Sequence, residues 1–189
     1  MAEIPTVAVL VLMFAGLVGA VLFGWVMGRG RSAGDRVAET EATNTILNEG
    51  PVDLMAVMSD CVRAVQGRAD AKAVSLKLSL PDTLPVLRAD AGMVHQMLSA
   101  LLSIAIDSTP AEGWIVVTAG YGRCGLDIAV ADTGSGIPSE QASKVKTWIE
   151  LHGGDFQCNS LVGRGTTVAL TFPPERVGTA ITGEVPGGS

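Results

Sequence analysis

Residues 126–138 read Leu126-Asp127-Ile128-Ala129-Val130-Ala131-Asp132-Thr133-Gly134-Ser135-Gly136-Ile137-Pro138, and this stretch decides the fold. Leu126 to Ala131 is a short apolar run bounded by turn residues, the signature of a buried strand. It ends on the carboxylate of Asp132, followed by glycines at 134 and 136. Before it, Gly120-Tyr121-Gly122-Arg123-Cys124-Gly125 makes a turn, and Trp114 to Ala119 supplies a second apolar strand.

Working outward, Asp90 is a plausible N-cap for a long helix. Val94, Met97, Leu98, Leu101, Leu102, Ala105 and Ile106 give that helix a wide core-facing stripe. Pro110 and Gly113 end it. Upstream, Pro51 opens an amphipathic helix with Leu54, Met55, Met58, Val62 and Val65 on one face. Val74, Leu76, Leu78 and Leu80 alternate with polar residues as a half-buried strand does. Downstream, Lys144 to Leu151 predicts another helix, stopped by Gly153-Gly154, and Thr166 to Phe172 a last strand. The order helix, strand, helix, strand, strand, helix, strand, strand predicts an α+β two-layer sandwich, one mixed sheet with helices on one face.

The rest of the chain of 189 residues frames that domain. Thr6 to Met27 contains no charge, and 22 helical residues reach about 33 Å, enough to cross a bilayer core. A cleavable signal would carry a basic start and a clean small-residue cleavage pattern; the run lacks these and reads as a retained anchor. Arg29, Arg31 and Arg36 follow it, which places the C-terminal domain in the cytoplasm by the positive-inside rule. Gly16, Ala20, Gly24 and Gly28 form a small-residue ridge on which two such helices could pack. The predicted organisation is an anchor over 1–28, a juxtamembrane linker over 29–50, the sandwich over 51–173 and a disordered tail over 174–189. Net charge is −6, which argues against nucleic acid as a partner. Cys61, Cys124 and Cys158 are scattered, with no metal-binding spacing, and suit a reducing compartment.

From Pro51 to Pro173 the motifs together resemble the ATPase domain of sensor histidine kinases, the GHKL or Bergerat-fold family. Leu84-Pro85-Val86-Leu87-Arg88-Ala89-Asp90 resembles the stretch before its asparagine-bearing helix, and Gln96 to Pro110 that helix. Asp132-x-Gly134-x-Gly136 resembles the adenine-binding box. Ile149-Glu150-Leu151-His152-Gly153-Gly154 resembles the helix end after the nucleotide lid, and Ser160-x-x-Gly163-x-Gly165-Thr166-Thr167 the last glycine motif. The resemblance implies ATP or ADP as ligand. Asp132 would accept from the adenine amine, Gly134 and Gly136 would let the backbone approach the base, and Gly163, Gly165 and Thr166 would sit beside the pocket.

Three departures qualify that implication. Ala100 and Ile104 stand where the family carries asparagines for magnesium and phosphate, so the hard oxygen ligands Mg²⁺ needs are missing. Asp107, one turn on, is the remaining carboxylate that could substitute. Only Ser139 to Ser143 separates the adenine box from the next helix, where the family has a glycine-rich lid; Lys144 and Lys146 could still attract phosphate. Residues 28–50 hold no histidine to accept a phosphoryl group, and His95 and His152 read as structural or solvated. The expectation is a single-pass protein of the bacterial inner membrane whose kinase-like domain no longer does kinase chemistry. It would serve as a scaffold or regulator toward a response-regulator-like protein, a kinase or a membrane assembly, with a homodimer open to it. The second reading is a nucleotide-binding sensor or an ATPase acting with a partner in trans.

Overall fold

The computed structural model describes residues 47–122, 124–161 and 164–178. The apolar run at 6–27, its Gly16, Ala20, Gly24 and Gly28 ridge, and Gly163 lie outside the described residues. Among the described residues no helix is long and apolar enough to cross a membrane.

Among the described residues three α-helices, α1 (Leu54–Ala71), α2 (Ala91–Ser108) and α3 (Ser139–Leu151), accompany seven strands. Strands β2 (Ser75–Ser79), β4 (Trp114–Gly122), β5 (Gly125–Asp132), β6 (Asp155–Leu161) and β7 (Gly165–Phe172) form one sheet in the order β2-β4-β5-β7-β6. β2 runs parallel to β4 and the other pairs are antiparallel, so the sheet is mixed. Its inner face carries Ile115, Val117, Ile128, Val130, Val168, Leu170 and Phe172, each at most 4% exposed. The buried stripe of α2 packs on this layer, and it comprises the seven residues that the periodicity predicts. Asp90 caps that helix as expected, its Oδ1 accepting from the Met93 N–H at 3.0 Å.

Several boundaries differ from the sequence-based expectation. Pro51 does not open a helix. It lies in β1 (Glu49–Val52), paired antiparallel with β3 (Leu87–Asp90), opposite Arg88. A proline has no N–H to give a ladder, so an edge strand suits it. Asp53 is the N-cap of α1, accepting from the Ala56 N–H at 3.1 Å. The buried face of α1 is Leu54, Met58, Cys61, Val65 and Ala69, while Met55 is exposed. Helix α3 starts at Ser139 rather than Lys144.

The ordered domain also outruns the expected limits of 51–173 at both ends. Glu49 and Gly50 belong to β1. Pro174–Arg176, expected to begin the disordered tail, form a 3-10 turn; Val177 then bridges Leu87, and the Gly178 N–H donates to Val86 O at 2.8 Å. Arg176 is held by Glu49 Oε1 at 2.8 Å and by the Arg88 carbonyl at 3.2 Å.

Candidate functional site

The end of β5, the turn after it and the start of β7 meet the C-terminal half of α2. Asp132, the last residue of β5, is 6% exposed and lies opposite Thr166 in the β5–β7 register. Its Oδ1 accepts from the Gly134 N–H at 2.7 Å. Thr166 is 3% exposed, and its Oγ1 lies 3.1 Å from Ser160 Oγ. Asp132, Gly134, Gly136, Gly165 and Thr166 are therefore brought together at this end of the sheet.

The glycines have immediate steric reasons. A Cβ on Gly134 would lie 2.5 Å from Ser108 Oγ and 2.8 Å from Asp132 Oδ1, so the turn closes on the end of α2 only without one. Gly136 has φ of +125° and packs toward Ser160. Sequence reading named Ser160 only as the start of the last glycine motif and gave Ser108 and Ile137 no role in this cluster; tertiary packing places all three here.

Burial pushes the Asp132 carboxyl above its ordinary range, and the Gly134 and Thr166 backbone groups pull only part of the way back. An acid with a raised folded pKa contributes stability below its unfolded pKa and loses it as pH climbs through the folded one. Asp132→Asn is neutral at every pH and retains an acceptor oxygen. Its melting temperature is therefore expected a few degrees above wild type at neutral pH, with the gain shrinking as pH falls toward about 4. A neutral-pH melting temperature equal to or below that of wild type would contradict this account of Asp132.

The cavity here is small, about 10 Å³. That is room for about one water, against several hundred Å³ for an ordinary small-molecule site. Leu101, Ile104 and Ile137 wall it, and Asp132 and Thr166 supply its polar atoms. Ile104 thus stands at the site, while Ala100 packs against the core. Asp107 does not reach the cavity. Its carboxylate is 2.8 Å from Arg68 Nη2 on the α1 side, and Lys72 Nζ caps the same helix end through the Ile106 and Asp107 carbonyls. Lys144 and Lys146 lie in exposed pairs with Glu140 and Glu150, at 3.1 and 3.7 Å. Pro138 leads straight into α3, so no lid intervenes.

Of the two histidines, His95 is exposed and His152 is fully buried. His152 Nε2 accepts from the Asp90 N–H at 3.2 Å, and its Nδ1 lies 2.8 Å from Trp148 O. With Nε2 accepting, Nδ1 is the ring nitrogen that donates to the Trp148 carbonyl. The ring thus ties the end of α3 to the start of α2, and its edge meets Phe172 at 5.8 Å.

Comparison with known proteins agrees with this fold. Residues 89–176 match the family described as "Histidine kinase-, DNA gyrase B-, and HSP90-like ATPase". Sensor histidine kinase ZraS of Escherichia coli (strain K12) is 30% identical over 141 residues, covering 65% of this chain and 30% of that protein. Histidine protein kinase DivJ of Caulobacter vibrioides is 32% identical over 162 residues, covering 72% and 27%. The chain spans less than a third of the length of these relatives. Among solved structures, full-length ShkA in complex with AMPPNP superposes with a TM-score of 0.63 at 23% identity, over 74% of this chain and 33% of that one. The catalytic domain of histidine kinase ThkA does so at 0.59 and 18%, over 68% of this chain and 99% of that one. With the mixed sheet, the helices on one face and the Asp132 cluster in place, residues 89–176 belong to a histidine-kinase-like ATPase domain related to those of the sensor kinases.

Proposed function

We propose that this protein is a membrane-anchored, catalytically silent relative of the sensor kinases that acts as a protein-binding scaffold or regulator in two-component signalling. The observation carrying this reading is the 10 Å³ cavity walled by Ile104, Leu101 and Ile137. A triphosphate brought against that apolar wall would lose water without gaining partners. Helix α3 starting at Ser139 supports the same reading, because it leaves no loop of backbone N–H groups to cradle phosphates. The anchor at 6–27, the linker after it, the inner-membrane location with a cytoplasmic domain, and the tail from 179 onward belong to this proposal. So does the choice of partner, a response-regulator-like protein, a kinase or a membrane assembly.

The test is a thermal melt and a calorimetric titration of the full chain in detergent with ADP and ATP, with and without Mg²⁺. Neither a shift nor heat is expected at millimolar nucleotide. A ligand at 100 times its dissociation constant would add roughly 2.7 kcal/mol, which a melt resolves. Such a shift, abolished by Asp132→Asn, would replace this reading with the nucleotide-sensor one. The favourable observation for that second reading is the Asp132 carboxylate itself, held at the end of β5 by the Gly134 N–H.

A further inference from the structure

β6 is one edge of the main sheet, and its pairing with β7 runs unbroken from Asp155↔Thr171 to Leu161↔Gly165. Edge strands are ordinarily blunted by a charge, a proline or a bulge, because their open N–H and C=O groups invite another strand. The opposite edge, β2, follows that rule with Lys77 at its centre. β6 does not. From Phe156 to Leu161 it carries no charge and no proline, and the last four residues are exposed, Leu161 by 63%. Its one charge, Asp155, opens the strand and accepts from Gln157 Nε2 at 2.8 Å.

We propose that β6 is the edge through which two copies of this chain join, antiparallel, about a two-fold axis at Cys158. That register overlaps the whole strand, and any other leaves strand residues unpaired. It sets Gln157 opposite Asn159 of the partner subunit, so two amides that can both donate and accept face each other. It also puts the two Cys158 thiols directly opposite. Residues facing across antiparallel strands have Cα atoms about 4.5–5.5 Å apart, within the span of a disulfide. The two sheets become one continuous sheet, and the inference is independent of whether nucleotide binds.

The test uses the full chain in detergent carrying Cys124→Ser, with the buried Cys61 left in place and diamide as oxidant. A cross-linked dimer is expected, lost on Cys158→Ser. Gln157→Lys with Asn159→Lys places like charges opposite each other twice, and should lower the cross-linked fraction by about tenfold. Gln157→Glu with Asn159→Glu should do the same, and co-expressing the two variants should restore the cross-link between them. A parent that forms no Cys158 cross-link overturns the proposal. So does a Lys variant that cross-links as well as the parent, or a mixture of folded Lys and Glu variants that fails to recover.

Discussion

Replacing His152 with alanine is expected to lower stability by roughly 3–5 kcal/mol, or about 10 °C in melting temperature. The residue is 0% exposed, so removing the ring opens a hole in the core. The substitution also removes two hydrogen bonds to backbone groups. The His152 N–H donates to Ile149 O at 3.0 Å, and the imidazole Nδ1 gives the Trp148 carbonyl a hydrogen bond at 2.8 Å that alanine cannot supply. The Asp90 N–H loses its acceptor in the same step. His152→Phe separates the two contributions, since it keeps the ring volume against Phe172 and drops both hydrogen bonds. It should retain part of the loss, about 1–3 kcal/mol. Denaturant unfolding of both variants gives the numbers. An alanine variant within 1 kcal/mol of wild type would show that the ring does not join the two helix ends.

The second large effect is expected at Gly165, the first residue of β7. Its φ is +101°, and a Cβ there would sit 2.0 Å from the carbonyl oxygen of Asp132 and 3.1 Å from Thr133 Cα. Both obstacles are backbone, so neither can swing aside. Gly165→Ala combines left-handed strain with a clash at the β5–β7 junction, and should cost roughly 4 kcal/mol or leave the domain unfolded. Gly67 is the control. It lies inside α1 with nothing within 4 Å of an added Cβ. Gly67→Ala should stabilise by about 0.5–1 kcal/mol, because alanine loses less backbone freedom in a helix. Equal effects of the two substitutions, read from the same unfolding curves, would refute the steric account.

Which parts of the fold were legible followed from which residues are buried. Helix α2 was readable from its cap to its last buried turn because its seven core residues keep a strict helical spacing. β4, β5 and β7 were readable because one face of each is buried. The first turn of α3, Ser139-Glu140-Gln141, is exposed and polar, so nothing in it marks a helix start. β1 and β3 have four residues each, too few for a period to show, and β6 is exposed along most of its length. At the site, Asp132 and its glycines announced themselves by spacing. Ile104 was legible only as a departure. That it walls a cavity with Ile137 depends on how α2 lies across β5, which no local pattern encodes.

The latch between Glu49 and Arg176 joins residues 127 apart in sequence. With Val177 seated beside Leu87 and β1 zipped along β3, both ends of the described chain leave from the same small sheet. Mechanically, the domain is a ring fastened at one clasp. Tension pulling the two ends apart would be taken up by that clasp before it reached the five-stranded sheet. The two ends of the described chain therefore leave the domain side by side.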